Sequence, residues 1–449
     1  MTSSSLSVLP KRINPRAIAI DLLHKILDHA ISLDDAERRH PSLAKLEKRD
    51  RAFIHLNVLT VLRRLGQIDD IIDQCLTTGR RPDRKIRHLL RLAIAEILFL
   101  DVAPYATVDE AVNLTKTLKA SPLAGFVNAL LRRVVRDGAQ MMAMQDSGRM
   151  NVPSWLRHRW EKVYGEDLAA QIAAAHLSEP PLDISVKGDP DRWAKLLEGE
   201  VLPTQTVRVK AKSQIPQLPG YETGAWWVQD AAAALPANLL LKALPENGQG
   251  ALIIDLCAAP GGKTAQLAMA GAKVIAVDRS PMRLDRLRQN LDRLSLAHTV
   301  EIRQEDVRTL TVDVHADGVL LDAPCTATGT LRRHPEIAYL RTSEDIGRAA
   351  ALQSEMITRA THLLRPGGVL VYAVCSLEPE EGPNHFSPNR SPSDLIFDPI
   401  GVNEVEGIAE FLVPPFLGQG ASFALQTLPC YWPEKGGLDG FWAARLRRA

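Results

Sequence analysis

The 449-residue chain has only five cysteines, and none sits in a CxxC pair or beside paired histidines. That scarcity argues against a structural zinc site and against a disulfide framework, and it leaves free thiols available for chemistry in a reducing compartment. No metal is expected. No apolar run approaches the roughly 18 or more residues needed to cross a bilayer, so no membrane association is expected either. The opening text, MTSSSLSVLPKR, lacks the apolar stretch and small-residue cleavage site of a secretion signal. It reads as a loose tail over 1–13, and the cytoplasm is the compartment these absences imply. Internal repeats are missing too. What remains is ordinary globular material, 45% hydrophobic and 24% charged. The length exceeds what one core normally serves and predicts two or three domains.

Net charge is only +1, yet it is unevenly spread. The first 150 residues carry 24 Lys and Arg against 17 Asp and Glu, an excess of seven bases, which leaves an excess of six acids in the rest. Clusters stand at Lys48-Arg49 with Arg51, at Arg80-Arg81 with Arg84-Lys85-Arg87, and at Arg132-Arg133 with Arg136. Such clusters neutralise phosphates and steer RNA, although each reads equally well as the solvated face of a helix. Apolar residues here recur at helical spacing, as in Ala17, Ile20, Leu22, Leu23, Ile26 and Leu27, or Phe53, Leu56, Val58, Leu59 and Leu62. The spacing predicts an all-helical domain. Turns are expected at Gly79–Pro82 and Ala103-Pro104, an N-cap at Thr107, and a linker over Ala139–Asn151, where the text is rich in Met, Gln and Gly.

Beyond residue 150 the patterning changes. LDISVK and TQTVRVKAK alternate as strands do within 183–212, and Trp226 to Leu241 reads as a helix entered through GAWWVQDAAA. From Gly250, ALIIDLCAAPGGKTAQLAMAGAKVIAVDRSPMRLDRLRQNLDRL runs strand, glycine turn, helix, strand, helix, which is a βαβ unit. A strand carrying Asp255, a turn holding Gly261 and Gly262, and Asp278 ending the next strand suit a nucleoside cofactor. Glycine lets backbone approach the ligand, and the acid can take ribose hydroxyls. Two other nucleotide motifs are absent. Gly262-Lys263-Thr264 matches only the end of G-x-x-x-x-G-K-[ST], whose leading glycine is replaced by Cys257, and AAPGGKTAQ does not fit G-x-G-x-x-G. TVEIRQED, DGVLLDAPC and GGVLVYAVCS extend the unit to a doubly wound sheet. Asp255, Asp278, Asp306, Asp322 and Cys375 then fall at the carboxyl ends of five strands, on the rim where ligands of such sheets bind. Any one of them alone reads as a helix cap or a core cysteine; together they read as a site.

Three stretches, DLCAAPGGKT, DAPCTATGTLRRHPEI and YAVCSLEPEE, resemble the cofactor, first-cysteine and second-cysteine motifs of the RNA cytosine-5 methyltransferases of the Nop/Sun group. RAFIHLNVLTVLRR, YATVDEAVNLTK and FVNALLRRV are similar to the NusB-like RNA-binding domain of a bacterial member. The resemblance covers almost the whole chain. It implies a multidomain protein with an all-α NusB-like domain at 14–140, a small α+β linker subdomain at 150–235, and an α/β Rossmann-like S-adenosylmethionine-dependent methyltransferase domain at 236–449.

The resemblance implies a chemistry as well. Carbon 5 of cytosine is too electron-poor to attack a methyl sulfonium until a thiolate has added to carbon 6. By resemblance that nucleophile is Cys375, and Cys325 is the thiol associated with product release. Asp322 is suited to hold the N3 edge and the exocyclic amine, with Lys263 positioning that acid and the base. S-adenosylmethionine is expected against Cys257, Ala258, Ala259, Pro260, Gly261, Gly262 and Lys263, with Asp278 on the ribose, Arg283 beside it, Asp306 near the adenine, and Asp322 also among its contacts. The substrate expected is structured RNA with an unpaired or flipped cytosine, small-subunit (16S) ribosomal RNA by resemblance. Arg332, Arg333 and His334 follow the first cysteine motif and are placed to hold phosphates. Trp226 and Trp227 are expected in the core rather than stacked on bases. The text departs from the family pattern at Gly382, where Asn is expected, in the loop-like segment that follows it to about residue 400, and at Cys430-Tyr431, where Pro-His is more usual. Cys430 reads as structural. Three other readings stand beside this one: transfer RNA as substrate, a non-catalytic RNA-binding assembly factor, and small-molecule methyl transfer or dinucleotide redox chemistry. The last needs neither a basic helical domain nor two cysteine motifs.

Overall fold

The computed structural model describes residues 13–76, 82–210, 214–387, 393–414 and 423–449. The first twelve residues of the tail, Arg80-Arg81 and most of the Gly79–Pro82 turn lie outside the described residues. Contacts divide the chain into two compact units, Met1–Arg157 with His334–Leu340, and His158–Arg333 with Arg341–Ala449.

In the first unit α1 (Pro15–His29), α2 (Leu33–Arg38), α3 (Lys48–Arg63), α4 (Leu65–Cys75), α5 (Arg84–Phe99), α6 (Pro104–Thr117), α7 (Ala124–Ala143) and α8 (Ser147–Met150) follow one another. Helix α1 begins where it does because the Asn14 side chain accepts from Arg16 N and Pro15 brings a pre-set φ to the first turn. Its buried Ile18, Leu22, Leu23 and Ile26 share one core with Ile54, Val58 and Leu62 of α3 and Leu89, Leu90 and Ile94 of α5. Two expectations fail here. Thr107 does not cap α6: Pro104 opens that helix earlier, and Thr107 Oγ1 is buried inside it, donating to Glu96 Oε2 at 3.1 Å. Nor is 139–151 a linker. Helix α7 runs on to Ala143, and the amides of Gln145 and Asn151 bond Gln67 of α4 at 3.1 and 2.9 Å. Polar side chains that pair with a distant amide leave no apolar periodicity to read.

The second unit opens within α9 (Ser154–Tyr164) and continues through α10 (Glu166–Ala175). A four-stranded antiparallel sheet follows, built from β1 (Leu182–Val186), β2 (Glu200–Val201), β3 (Val207–Val209) and β4 (Trp226–Val228) in the order β2-β3-β1-β4, with α11 (Pro190–Leu196) against it. Trp226 therefore opens a strand rather than a helix. It pairs with Val186 and Trp227 with Ser185, and α12 (Ala231–Ala243) starts only where the Asp230 side chain caps Ala232 N. Large aromatics suit the half-buried face of a strand. Both indoles are buried in the core, as expected.

The main sheet has nine strands: β5 (Leu252–Leu256), β6 (Lys273–Val277), β7 (Val300–Arg303), β8 (Ala316–Asp322), β9 (Leu364–Val374), β10 (Leu395–Phe397), β11 (Leu412–Val413), β12 (Ala424–Thr427) and β13 (Phe441–Arg448). Its order is β11-β12-β13-β9-β8-β5-β6-β7, with β10 on β13; the pairs from β9 to β7 are parallel and those involving β10 to β13 antiparallel. Alternate residues serve opposite layers. Ile253, Val274, Leu320 and Val371 join a core with α12, α13 (Gly262–Met269) and α14 (Pro281–Arg293), while Ile254, Val319, Leu321 and Leu370 join one with α15 (Ser343–Leu363). Strand order reverses between β5 and β8, which is where a doubly wound sheet opens its ligand crevice. The segment after Gly382 is only partly a loop, since Leu395–Phe397 pair with Leu446–Arg448 as β10. Among the described residues no helix is long and apolar enough to cross a membrane.

Candidate active site

The turn after β5 is shaped by two close approaches. Gly261 has φ +103°, and a Cβ there would sit 3.1 Å from the Leu287 side chain of α14, so the loop reaches α14 only with glycine at that position. Arg283 donates to Ala259 O, and Asn290 to Pro260 O at 3.0 Å, so the loop is held along its length. At the start of α13, Thr264 Oγ1 donates to Asp255 Oδ2 at 2.6 Å, and Lys263 Nζ donates to Asp322 Oδ2 at 2.7 Å. The Lys263 ammonium also lies 5.1 Å from the centroid of the Phe441 ring.

Strand ends bring the two cysteine turns together. Cys375 follows β9 directly, Cys325 lies three residues past β8, and their sulfurs are 3.5 Å apart, within hydrogen-bond distance for sulfur. Two thiols near this rim, Cys257 and Cys325, are held protonated. The Cys257 thiol is pushed up to about 12 by burial, reinforced by Asp278 and Asp322, so it stays protonated. Cys325 is also held well above the ordinary range, by its hydrogen bond to Cys375 and by burial.

Two cavities flank the Cys257–Lys263 turn. One, of about 230 Å³, is lined by Cys257, Asp278, Arg283, Asp306, Asp322, Cys325 and Cys375. The other, of about 590 Å³, is lined by Ala258, Ala259, Pro260, Gly261, Gly262 and Lys263, with Cys257 and Asp322 belonging to both. The expected residues are thus gathered on both sides of one turn rather than round one pocket. The donor set fits a nucleoside: Asp278 Oδ1 takes Ser280 N at 2.9 Å, whereas Oδ2, buried in the lining of the smaller cavity and 3.4 Å from Arg283 Nη1, has no hydrogen bond among the described residues and is left for a ribose hydroxyl. Asp306 is ionised and fixed by Arg308, whose guanidinium and backbone N–H hold its carboxyl down at about 2. An Asp278→Ala variant is expected to raise the Kd for S-adenosylmethionine about tenfold or more by calorimetry, the usual weight of a hydrogen bond to a charged group; an unchanged Kd would contradict this placement.

Asp255 carries a pH dependence. Its carboxyl is fully buried, Oδ1 has no hydrogen bond among the described residues, and burial pushes it up to about 7 despite the Thr264 hydroxyl. The folded chain keeps a proton there that the unfolded chain, at about 3.9, has already lost. Folding then takes up a proton between those values, so this group's contribution to stability falls as pH rises from about 4 to 7. Asp255→Asn should flatten that decline in thermal melts of the cofactor-free protein; a wild-type slope in the variant would contradict it.

Arg332 and Arg333 are not phosphate ligands in this arrangement. Arg332 is buried, with Nη1 donating to Gly436 O at 2.5 Å, and Arg333 donates to Asp439 Oδ2 at 2.8 Å and Asp230 Oδ2 at 2.6 Å. Carboxylates far along the chain have claimed the Arg333 guanidinium, and Arg332 is held by a backbone carbonyl with Asp439 Oδ1 3.7 Å from its Nη2. His334 Nδ1 stands 3.7 Å from Glu336 Oε1. Of the basic clusters, Lys48, Arg49, Arg51, Arg84, Lys85, Arg132 and Arg136 are exposed; Arg84 lies 3.6 Å from Asp28, Arg136 pairs with Asp137, and the less exposed Arg87 pairs with Asp69 and Asp73. A side chain at Gly382 would meet the Trp442 ring at 3.1 Å. Sequence reasoning assigned no role to Thr326, Ser376 and Glu381, which join the two cysteine turns; hydroxyl residues directly after each cysteine were the available signal.

Both units of the chain resemble known proteins. The family model described as 16S rRNA methyltransferase RsmB/F matches residues 240–447, and the NusB family model matches residues 13–136. Ribosomal RNA small subunit methyltransferase B of Cronobacter sakazakii is 33% identical over 421 residues, covering 89% of this chain and 95% of its own. The protein of that name from Klebsiella pneumoniae is 32% identical, with 98% and 99% covered. Among solved structures, PH0851 shares the fold over 98% of this chain and 100% of its own, with a TM-score of 0.70 at 22% identity. A methyltransferase homolog protein from Pyrococcus horikoshii aligns at 26% identity with a TM-score of 0.53, over 65% of this chain and 94% of its own. A third of positions identical across nearly the whole of such relatives, on a sheet with its crevice between β5 and β8, places the chain in the 16S rRNA methyltransferase RsmB/F family, as an S-adenosylmethionine-dependent methyltransferase of RNA with a NusB domain at its front.

Proposed function

We propose that the protein methylates carbon 5 of a cytosine in small-subunit ribosomal RNA through a covalent bond between Cys375 and carbon 6 of the base. The observation that carries this reading is the pair of sulfurs 3.5 Å apart on a cavity wall shared with Asp322, itself bonded to Lys263. Cytosine-5 chemistry needs a thiolate nucleophile, a group to steady the ring as charge develops, and a way to release the product.

Attack comes from the Cys375 sulfur as thiolate, the nucleophilic form of cysteine, with the Cys325 sulfur beside it at 3.5 Å. The Cys375 sulfur forms a bond to carbon 6, which makes carbon 5 electron-rich. Asp322 accepts from the exocyclic amine and meets the N3 edge, and Lys263 fixes that carboxylate. S-adenosylmethionine supplies the methyl group as a sulfonium. The carbon-5 proton then passes to solvent water, its C–H electron pair re-forms the 5,6 double bond, and the carbon 6–sulfur bond breaks with its pair leaving on the Cys375 sulfur; Cys325 is the thiol tied to that release. Cofactor-holding roles go to the Cys257–Lys263 turn, Asp278, Arg283, Asp306 and Asp322. The helical domain, basic and similar to the NusB family over residues 13–136, suits RNA capture. Action on ribosomal RNA puts this work in the cytoplasm.

Labelled methyl transfer to unmethylated small-subunit ribosomal RNA and to transfer RNA distinguishes the substrates. Transfer to the first alone is expected. Transfer only to the second would overturn the substrate and keep the mechanism. Cofactor binding without transfer to any RNA would favour an assembly factor.

A further inference from the structure

The polar groups that the chemistry above leaves without a role converge on Glu381. Its side chain is fully buried yet accepts four hydrogen bonds. Oε1 takes Ser376 Oγ at 2.7 Å and Thr326 Oγ1; Oε2 takes Thr326 N at 2.8 Å and Gln353 Nε2 at 3.1 Å. Thr326 follows Cys325 and Ser376 follows Cys375, so one carboxylate ties together the neighbours of both thiols. The two hydroxyls also approach each other at 3.2 Å. Glu381 is itself anchored, because its carbonyl accepts the Tyr372 hydroxyl of β9 at 2.6 Å. Gln353 is aimed by Pro324 O at 2.9 Å and by His385 Nε2 at 3.0 Å. Two carboxyl oxygens have lone pairs enough for four converging donors, and those bonds make its burial tolerable.

We propose that Glu381 is a positioning residue that sets the register between the two cysteine turns, keeping the Cys325 thiol aimed at the Cys375 sulfur through the release step. The inference rests on the roles given above to the two cysteines. Nothing covalent joins the turns among the described residues; they also meet through the sulfur pair, through a backbone hydrogen bond from Gly329 N to Cys375 O at 3.0 Å, and through hydroxyl hydrogen bonds such as Leu377 N to Thr328 Oγ1 at 3.0 Å. A misplacement of about 1 Å between reacting groups costs on the order of 100-fold in rate. Glu381 touches neither sulfur, and it acts through the residues it holds.

The test compares Glu381→Ala, Glu381→Gln and the double variant Thr326→Val with Ser376→Ala against wild type and Cys325→Ala. The readouts are kcat, KM for RNA and cofactor, thermal unfolding, and the covalent protein–RNA band on denaturing gels. Glu381→Ala and the double variant are expected to lose about tenfold or more in kcat, with KM within about twofold, and to accumulate the covalent band. Glu381→Gln keeps an acceptor for Thr326 N and an amide that the hydroxyls can accept, and it should recover most of kcat. If Glu381→Ala fails to fold, the double variant decides. A folded double variant with wild-type kcat and no band overturns the proposal, as does a loss confined to KM or melting temperature. A Cys325→Ala control without the band removes the parent reading instead, and the kcat-against-KM split then judges Glu381 alone.

Discussion

Replacing Cys375 by alanine is expected to abolish methyl transfer, a loss of about four orders of magnitude or more, because removing the nucleophile of a covalent mechanism removes the path and not one contact along it. The fold should survive. Cys375 stands just after β9, half-buried and packed only against the margin of the core that β9 shares with β8 and β13, so loss of one sulfur leaves the fully buried residues in place. The variant should therefore melt near the wild type and bind S-adenosylmethionine with unchanged affinity, while single-turnover assays show no methylated RNA and no covalent complex. A residual rate within about tenfold of wild type would assign the attack to another group. Cys257 is a poor substitute, being held protonated by burial.

Cys325→Ala is expected to behave differently. Addition and methylation need only the other sulfur, so the first turnover should proceed, but release should stall and a covalent protein–RNA complex should build up on denaturing gels. Multiple-turnover kcat should fall by about 100-fold or more, the scale at which a positioned proton-transfer group contributes. The two variants are thus separated by the adduct itself: absent in one, accumulated in the other. A Cys325→Ala enzyme with wild-type turnover and no adduct would contradict the division of labour.

Much of the second unit was legible because its signals are local. A strand, a glycine turn and a helix lie within one stretch of DLCAAPGGKT, and the acids at the ends of β5, β6 and β8 reach one rim for a topological reason that any doubly wound sheet obeys. What failed depended on partners distant in the chain. Arg332 and Arg333 look like free cations next to the first cysteine, yet Asp230 and Asp439 claim Arg333 from about a hundred residues away on either side. Gln67 captures Gln145 and Asn151 and turns an expected linker into part of the helical unit. Trp226 begins a strand because β1 is there to pair with it, which helical text downstream conceals. Glu381 is the sharpest case. Its residue type and place in YAVCSLEPEE were visible, but its four donors come from residues 326, 353 and 376, and only the folded chain brings them together.

The most direct test of the account is bisulfite sequencing of unmethylated small-subunit ribosomal RNA after incubation with S-adenosylmethionine and either wild type or Cys375→Ala. The account predicts a single protected cytosine with wild type and none with the variant; methyl label in the RNA without any protected cytosine, or protection that persists in Cys375→Ala, would contradict it.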